Sequence, residues 1–119
     1  MTKKQKDVKI KKIFRGIVLR TLEKAIDINP EEEWSSIYII KCNEYYKVGM
    51  AYDVEKRLVA LQVGNPYLLE IIYKKKDKKC GEIHLYLFNY LSKKRIRGEW
   101  YKLDINDIER IKNIVEEYE

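Results

Sequence analysis

Residues 36–66 read SIYIIKCNEYYKVGMAYDVEKRLVALQVGNP. The stretch opens with two runs rich in β-branched and aromatic side chains, Ser36–Lys41 and Tyr45–Gly49, parted by Cys42-Asn43-Glu44. Such runs around a short polar turn predict a β-hairpin. Asp53 then offers a carboxylate to the unpaired N–H groups of a helix start. The helix runs to about Val63, where Gly64-Asn65-Pro66 ends it. Within it Val54, Leu58 and Leu61 share one apolar stripe. Arg57 falls on that stripe too. A guanidinium is not buried without an anion or several acceptors. A negative group beside the helix would meet that demand. So would an internal salt bridge, or snorkelling at the rim of the stripe.

Beyond Pro66, Tyr67–Lys74 reads as a third strand, and Asp77 as the cap of a helix reaching about Leu91. The segment SKKRIRGEW is expected to be a loop, leading into an extended piece at Trp100–Leu103. Asp104 caps a last helix whose Ile108, Ile111 and Val115 share a face. Before the hairpin, Lys3–Ile28 has the period of a helix, and Asn29-Pro30 stops it. Its opening is crowded with Lys3, Lys4, Lys6, Lys9, Lys11, Lys12 and Arg15. This order predicts an α+β fold: a small three-stranded antiparallel sheet flanked by helices, with an extra basic N-terminal helix. The domain division is 1–30 for that helix and 34–119 for the rest.

The 119 residues bound a single modest core. The net charge of +6 favours an anionic partner such as nucleic acid, an acidic protein or a membrane surface. No apolar run spans a bilayer, and MTKKQKDVKIKK lacks the apolar centre of a secretory signal. With two cysteines, Cys42 and Cys80, and the lone His84, there is neither a disulfide framework nor a zinc-finger spacing. The expectation is a cytoplasmic protein with reduced thiols. There is no glycine-rich phosphate loop and no Ser-His-Asp set, which disfavours those enzyme classes.

The hairpin supplies Tyr38, Tyr45, Tyr46 and Lys47, and tyrosines in strands ordinarily pack across the sheet. A phenol beside an ammonium group is also expected to have a lowered pKa and to take a proton from water. Gly49 suits a close approach of backbone to another group. Glu82, one turn into the helix after Asp77, is either a solvated first-turn carboxylate or a ligand for a hard divalent cation. Phenols, an arginine, a carboxylate and a basic surface together are the parts of metal-assisted phosphodiester cleavage.

Taken in series, SIYII, YYKVG, RLVALQVGNP, GEIHLYL and RIRGEWYKL resemble the GIY-YIG nuclease superfamily, nearest to its small phage-type branch. The likeness covers about Ser36 to Leu103. It implies a three-stranded antiparallel sheet with flanking helices, and DNA cleavage with one divalent metal ion, Mg²⁺ or Mn²⁺. By motif, Tyr38 matches the first tyrosine, and Tyr46 or Lys47 the second, because YKVG has one residue more than YIG. Gly49 is the glycine and Arg57 the catalytic arginine. Glu82 is the match to the metal-binding glutamate, with about two extra residues in the loop that follows. An ungapped count back from Gly98-Glu99-Trp100 lands on His84 instead. Side chains alternate faces along a strand, so Tyr46 and Lys47 cannot both enter one site.

The expected activity is a metal-dependent endonuclease on DNA, in a bacterial cell or a phage-infected host. Lys11, Lys12, Arg15, Lys75, Lys76, Arg95 and Arg97, with the Gly49 backbone, are the expected DNA contacts. A non-cleaving nucleic-acid- or protein-binding module on the same fold is the alternative. A sensor of small phosphorylated ligands has no direct support. A homodimer is compatible with the size.

Overall fold

The computed structural model describes residues 34–119. The basic helix expected over residues 3–28, with Lys11, Lys12 and Arg15, lies outside them.

The hairpin forms as read. Strand β1, Ser36–Cys42, pairs antiparallel with β2, Tyr45–Ala51, and Asn43 turns the chain at a φ of 57°. Asparagine tolerates that left-handed conformation better than most residues. Helix α1, Val54–Gln62, follows its cap, the Asp53 carboxylate accepting from the Lys56 N–H at 3.0 Å. Strand β3, Glu70–Lys76, starts three residues later than expected. The backbone before it is committed elsewhere. Gln62 donates to the Tyr67 carbonyl at 2.9 Å and accepts from the Leu69 N–H at 2.9 Å, while Asn65 accepts from the Tyr67 N–H. Backbone groups held by side chains are not free for a ladder.

Helix α2, Cys80–Tyr90, also starts late. Asp77 accepts from the Lys79 N–H at 2.8 Å and forms a turn before the helix instead of capping it. The expected SKKRIRGEW loop is instead a 3₁₀ turn, Ser92–Lys94, and a strand β4, Arg95–Arg97. Gly98, at a φ of 55°, turns β4 into β5, Trp100–Lys102. Helix α3, Ile105–Glu117, ends the chain. The sheet therefore has five antiparallel strands, not three, in the order β3-β1-β2-β5-β4. Of the two added strands, β5 is the extended piece expected at Trp100–Leu103 and pairs with the distant β2, while β4 pairs with β5.

Helices α2 and α3 cover one face of the sheet. Ile37, Ile39 and Val48 meet Ile83 and Leu87 of α2 and Ile108, Ile111 and Val115 of α3. Each buried aliphatic side chain contributes on the order of 1.5–3 kcal/mol. The other face holds a smaller cluster: Tyr38 and Ile40 beneath Val54, Leu58 and Leu61 of α1, with Trp100 beside them. Helix α3 is held at its start by a reciprocal cap. The Asp107 N–H donates to Asp104 at 2.9 Å, and the Asp104 N–H donates to Asp107 at 3.0 Å. Lys94 completes the arrangement at 2.7 Å from Asp107. Burial works against the Asp107 charge, but the Lys94 ammonium and the Asp104 N–H outweigh it and hold the carboxyl below its usual value. Replacing Asp104 with Ala should cost about 0.5–2 kcal/mol, read as a lower urea midpoint with an unchanged slope.

Candidate functional site

Tyr38 stands directly across from Gly49 in the β1–β2 register, and Ile40 across from Lys47. Directly opposed residues share a face. Tyr38, Lys47 and Gly49 therefore belong to the face beneath α1. Tyr46, one residue away, packs against the opposite core. The choice the sequence left open thus falls to Lys47, and Tyr46 lies outside the site.

A Cβ built on Gly49 would lie 2.7 Å from the Tyr38 hydroxyl and 2.8 Å from Oε1 of Glu99. The missing side chain is what lets a phenol and a carboxylate converge over β2. Glu99 sits just before β5, its carbonyl accepting from the Val48 N–H at 3.1 Å. Its Oε1 is 3.3 Å from Lys47 Nζ, and its Oε2 is 2.7 Å from Nε2 of His84 on α2. One carboxylate thus joins a lysine from one face of the sheet to a histidine on a helix of the other. Lys47 is 7% exposed and also lies 5.8 Å from the Trp100 ring centroid. An ammonium so buried requires a counter-charge, which Glu99 supplies.

Of the settings open to Arg57, the structure shows the rim of the stripe. It is exposed, at the margin of the Val54, Leu58 and Leu61 stripe, and not on the buried face. Among the described residues no carboxylate pairs with it. The guanidinium lies beside the Tyr38 phenol and opens onto a cleft of ≈ 430 Å³ shared with Tyr52, Asp53 and Lys56. Tyr38 departs from expectation. Burial raises its pKa above the ordinary 10.0, and the Glu99 charge adds to that; the Arg57 guanidinium offsets only part. Tyr38 is a phenol held protonated, not a phenolate.

Glu82 is exposed, its Oε1 accepting from the Tyr118 hydroxyl at 3.4 Å. Positions two apart on a helix diverge by about 200°. With His84 turned to Glu99, Glu82 points away, and the structure does not bring it to Tyr38, Lys47 and Arg57. Sequence reading gave Glu99 no role. Its signal was the GEW triplet, but its contacts to residues 47 and 84 depend on the β5 pairing.

The expected phosphate contacts divide. Lys75 pairs with Glu116 at 3.2 Å, while Lys76 is exposed and lies over the Tyr52 ring. Arg95 is exposed over the Phe88 ring, and Arg97 is exposed near Trp100. Neither arginine has a carboxylate partner among the described residues.

Among the described residues, no three His, Cys, Asp or Glu side chains converge as a metal cage. Mg²⁺ does not need one. It keeps several waters and binds through one or two carboxylates plus substrate phosphate oxygens. Glu99, with its side chain 30% exposed and beside the Lys47 ammonium, fits that requirement.

The T5orf172 domain family matches residues 35–117, most of the chain. The protein belongs to this family, and membership supports a nuclease-like or nucleic-acid-binding role. No curated protein and no solved structure matches the chain. No helix among the described residues is long and apolar enough to cross a membrane.

Two measurements check the geometry. Gly49→Ala should push Tyr38 and Glu99 apart and lower stability by about 1–3 kcal/mol, read by denaturant unfolding. A group whose folded pKa is raised contributes stability below its unfolded value, and loses it as pH climbs through the folded one. Alkaline titration of phenolate absorbance in Tyr38→Phe should therefore lose a tyrosine from the late-ionising set, not from the group near the ordinary value.

Proposed function

We propose that the protein is a metal-dependent endonuclease that hydrolyses DNA phosphodiester bonds, as its resemblance to GIY-YIG nucleases implies. One observation carries the reading: Glu99 is held by Lys47 and His84 beside Tyr38, within a site where Arg57 has no carboxylate partner among the described residues. In hydrolysis an oxygen of water bonds to phosphorus, and the bond to the leaving sugar oxygen breaks. Positive charge must meet the added charge on the phosphoryl oxygens. Arg57 supplies it from the cleft. Glu99 is the residue that would hold Mg²⁺ or Mn²⁺, which would supply Lewis-acid polarisation of a phosphate oxygen. His84 orients that carboxylate through Nε2, as residues behind a metal ligand do. Tyr38, kept as a phenol, donates a hydrogen bond. Lys47, an ammonium paired with Glu99, keeps that carboxylate in place, and the proton of the attacking water ends on the leaving sugar oxygen.

Supercoiled plasmid with Mg²⁺ or Mn²⁺ tests this. The wild type should nick it. Arg57→Ala and Glu99→Gln should each lose on the order of 10²–10³-fold in rate, and Glu82→Ala should keep the wild-type rate. Loss in Glu82→Ala with retention in Glu99→Gln would reverse the assignment. Absence of nicking alongside salt-sensitive DNA binding would favour a non-cleaving module.

A further inference from the structure

Two residues along β2 from Lys47, about 7 Å on the same face, a second cleft opens. It measures ≈ 280 Å³ and is lined by Cys42, Tyr45, Asn65, Ile96, Arg97 and Trp100. We propose that this cleft binds one unstacked nucleobase of the nucleic-acid strand whose phosphate lies at Lys47 and Arg57. The proposal rests on the nuclease reading and specifies its substrate: a strand with an unpaired nucleotide beside the cut.

The walls are those a base requires. Tyr45 is 37% exposed and Ile96 59% exposed, and Trp100 lines the cleft with them. Bases stack on aromatic faces without regard to sequence. Arg97 brings a planar cation that both stacks and meets phosphate. Asn65 uses its Oδ1 on the Tyr67 N–H at 2.9 Å, which leaves its amide hydrogens for a base acceptor.

Position ties the cleft to the chemistry. Trp100 lines it and also carries the Lys47 ammonium over its ring at 5.8 Å. A base in the cleft and a phosphate at Lys47 would therefore lie on two sides of one side chain. In a duplex the faces of each base are covered by its neighbours. Only a flipped, frayed or single-stranded nucleotide presents a face to Tyr45 and Trp100.

The test uses the full chain in EDTA, so that nothing is cut. Anisotropy follows a fluorescein-labelled single strand, the same sequence as duplex, and a fully abasic sugar–phosphate strand of equal length. The base-bearing single strand should bind tightest. Tyr45→Ala should weaken that strand by roughly five- to 150-fold, the range for loss of one base–aromatic stack. It should leave the abasic strand unchanged, and Tyr45→Phe should match the wild type. No loss in Tyr45→Ala, or equal loss on base-bearing and abasic strands, overturns the cleft and leaves the nuclease reading standing. Should no strand bind, the nuclease reading falls, and free deoxyadenosine and thymidine decide the cleft. A shift of the Trp100 indole N–H resonance that Tyr45→Ala abolishes retains it; no shift overturns it as well.

Discussion

The absence of a side chain at Gly49 is the constraint on which the rest of the site depends. Tyr38 and Glu99 both occupy the space that a Cβ there would claim. Once Glu99 is drawn over β2, its two oxygens meet Lys47 on one side and His84 on the other. Lys47 cannot stay buried as a charge without that carboxylate. His84 in turn ties α2 to the end of β5. A single backbone position therefore fixes a phenol, a carboxylate, an ammonium and an imidazole relative to one another. It also explains why the hairpin interrupts its run of β-formers with a glycine, a residue that weakens a strand interior.

Much of the frame was legible because it is written locally. The hairpin, the Asp53 cap, the Asp104 cap and the apolar face of α3 follow from neighbours within a few residues. The errors share a cause. Tyr67–Leu69 was read as strand because its side chains look like one, yet Gln62 and Asn65 had already taken its backbone hydrogen bonds. β5 matches the extended piece expected at Trp100–Leu103, whereas β4 escapes a local reading because a three-residue strand carries no periodicity and exists only through its partner.

The site divides in the same way. Tyr38, Lys47, Gly49 and Arg57 lie on a hairpin and the helix that follows it, and strand parity settled Lys47 over Tyr46. Glu99 lies beyond the reach of local reading, and Glu82 stood as the metal-binding carboxylate because it matched the glutamate of the resembled family by motif. A helix register decided against it: His84 and Glu82 cannot face the same partner. Tyr38 is instructive in another respect. A cation beside a phenol suggests a lowered pKa, but that holds only where water still solvates the oxygen. At 1% exposure, desolvation outweighs the guanidinium.

The distribution of charge completes the picture of the face beneath α1. On β3, Lys74 is paired with Glu55 and Lys75 with Glu116, so much of that edge's charge is already neutralised within the fold. Arg57 and Arg97 differ: both are exposed and both border clefts on the face that carries Lys47. An exposed arginine held beside a phenol or an indole gives up side-chain freedom, and an ion pair that would compensate it is absent among the described residues. An anion on this face would supply that compensation at both points. Two exposed arginines, one at each cleft and neither with a carboxylate partner among the described residues, mark this face for an anion more sharply than the total charge of +6 does.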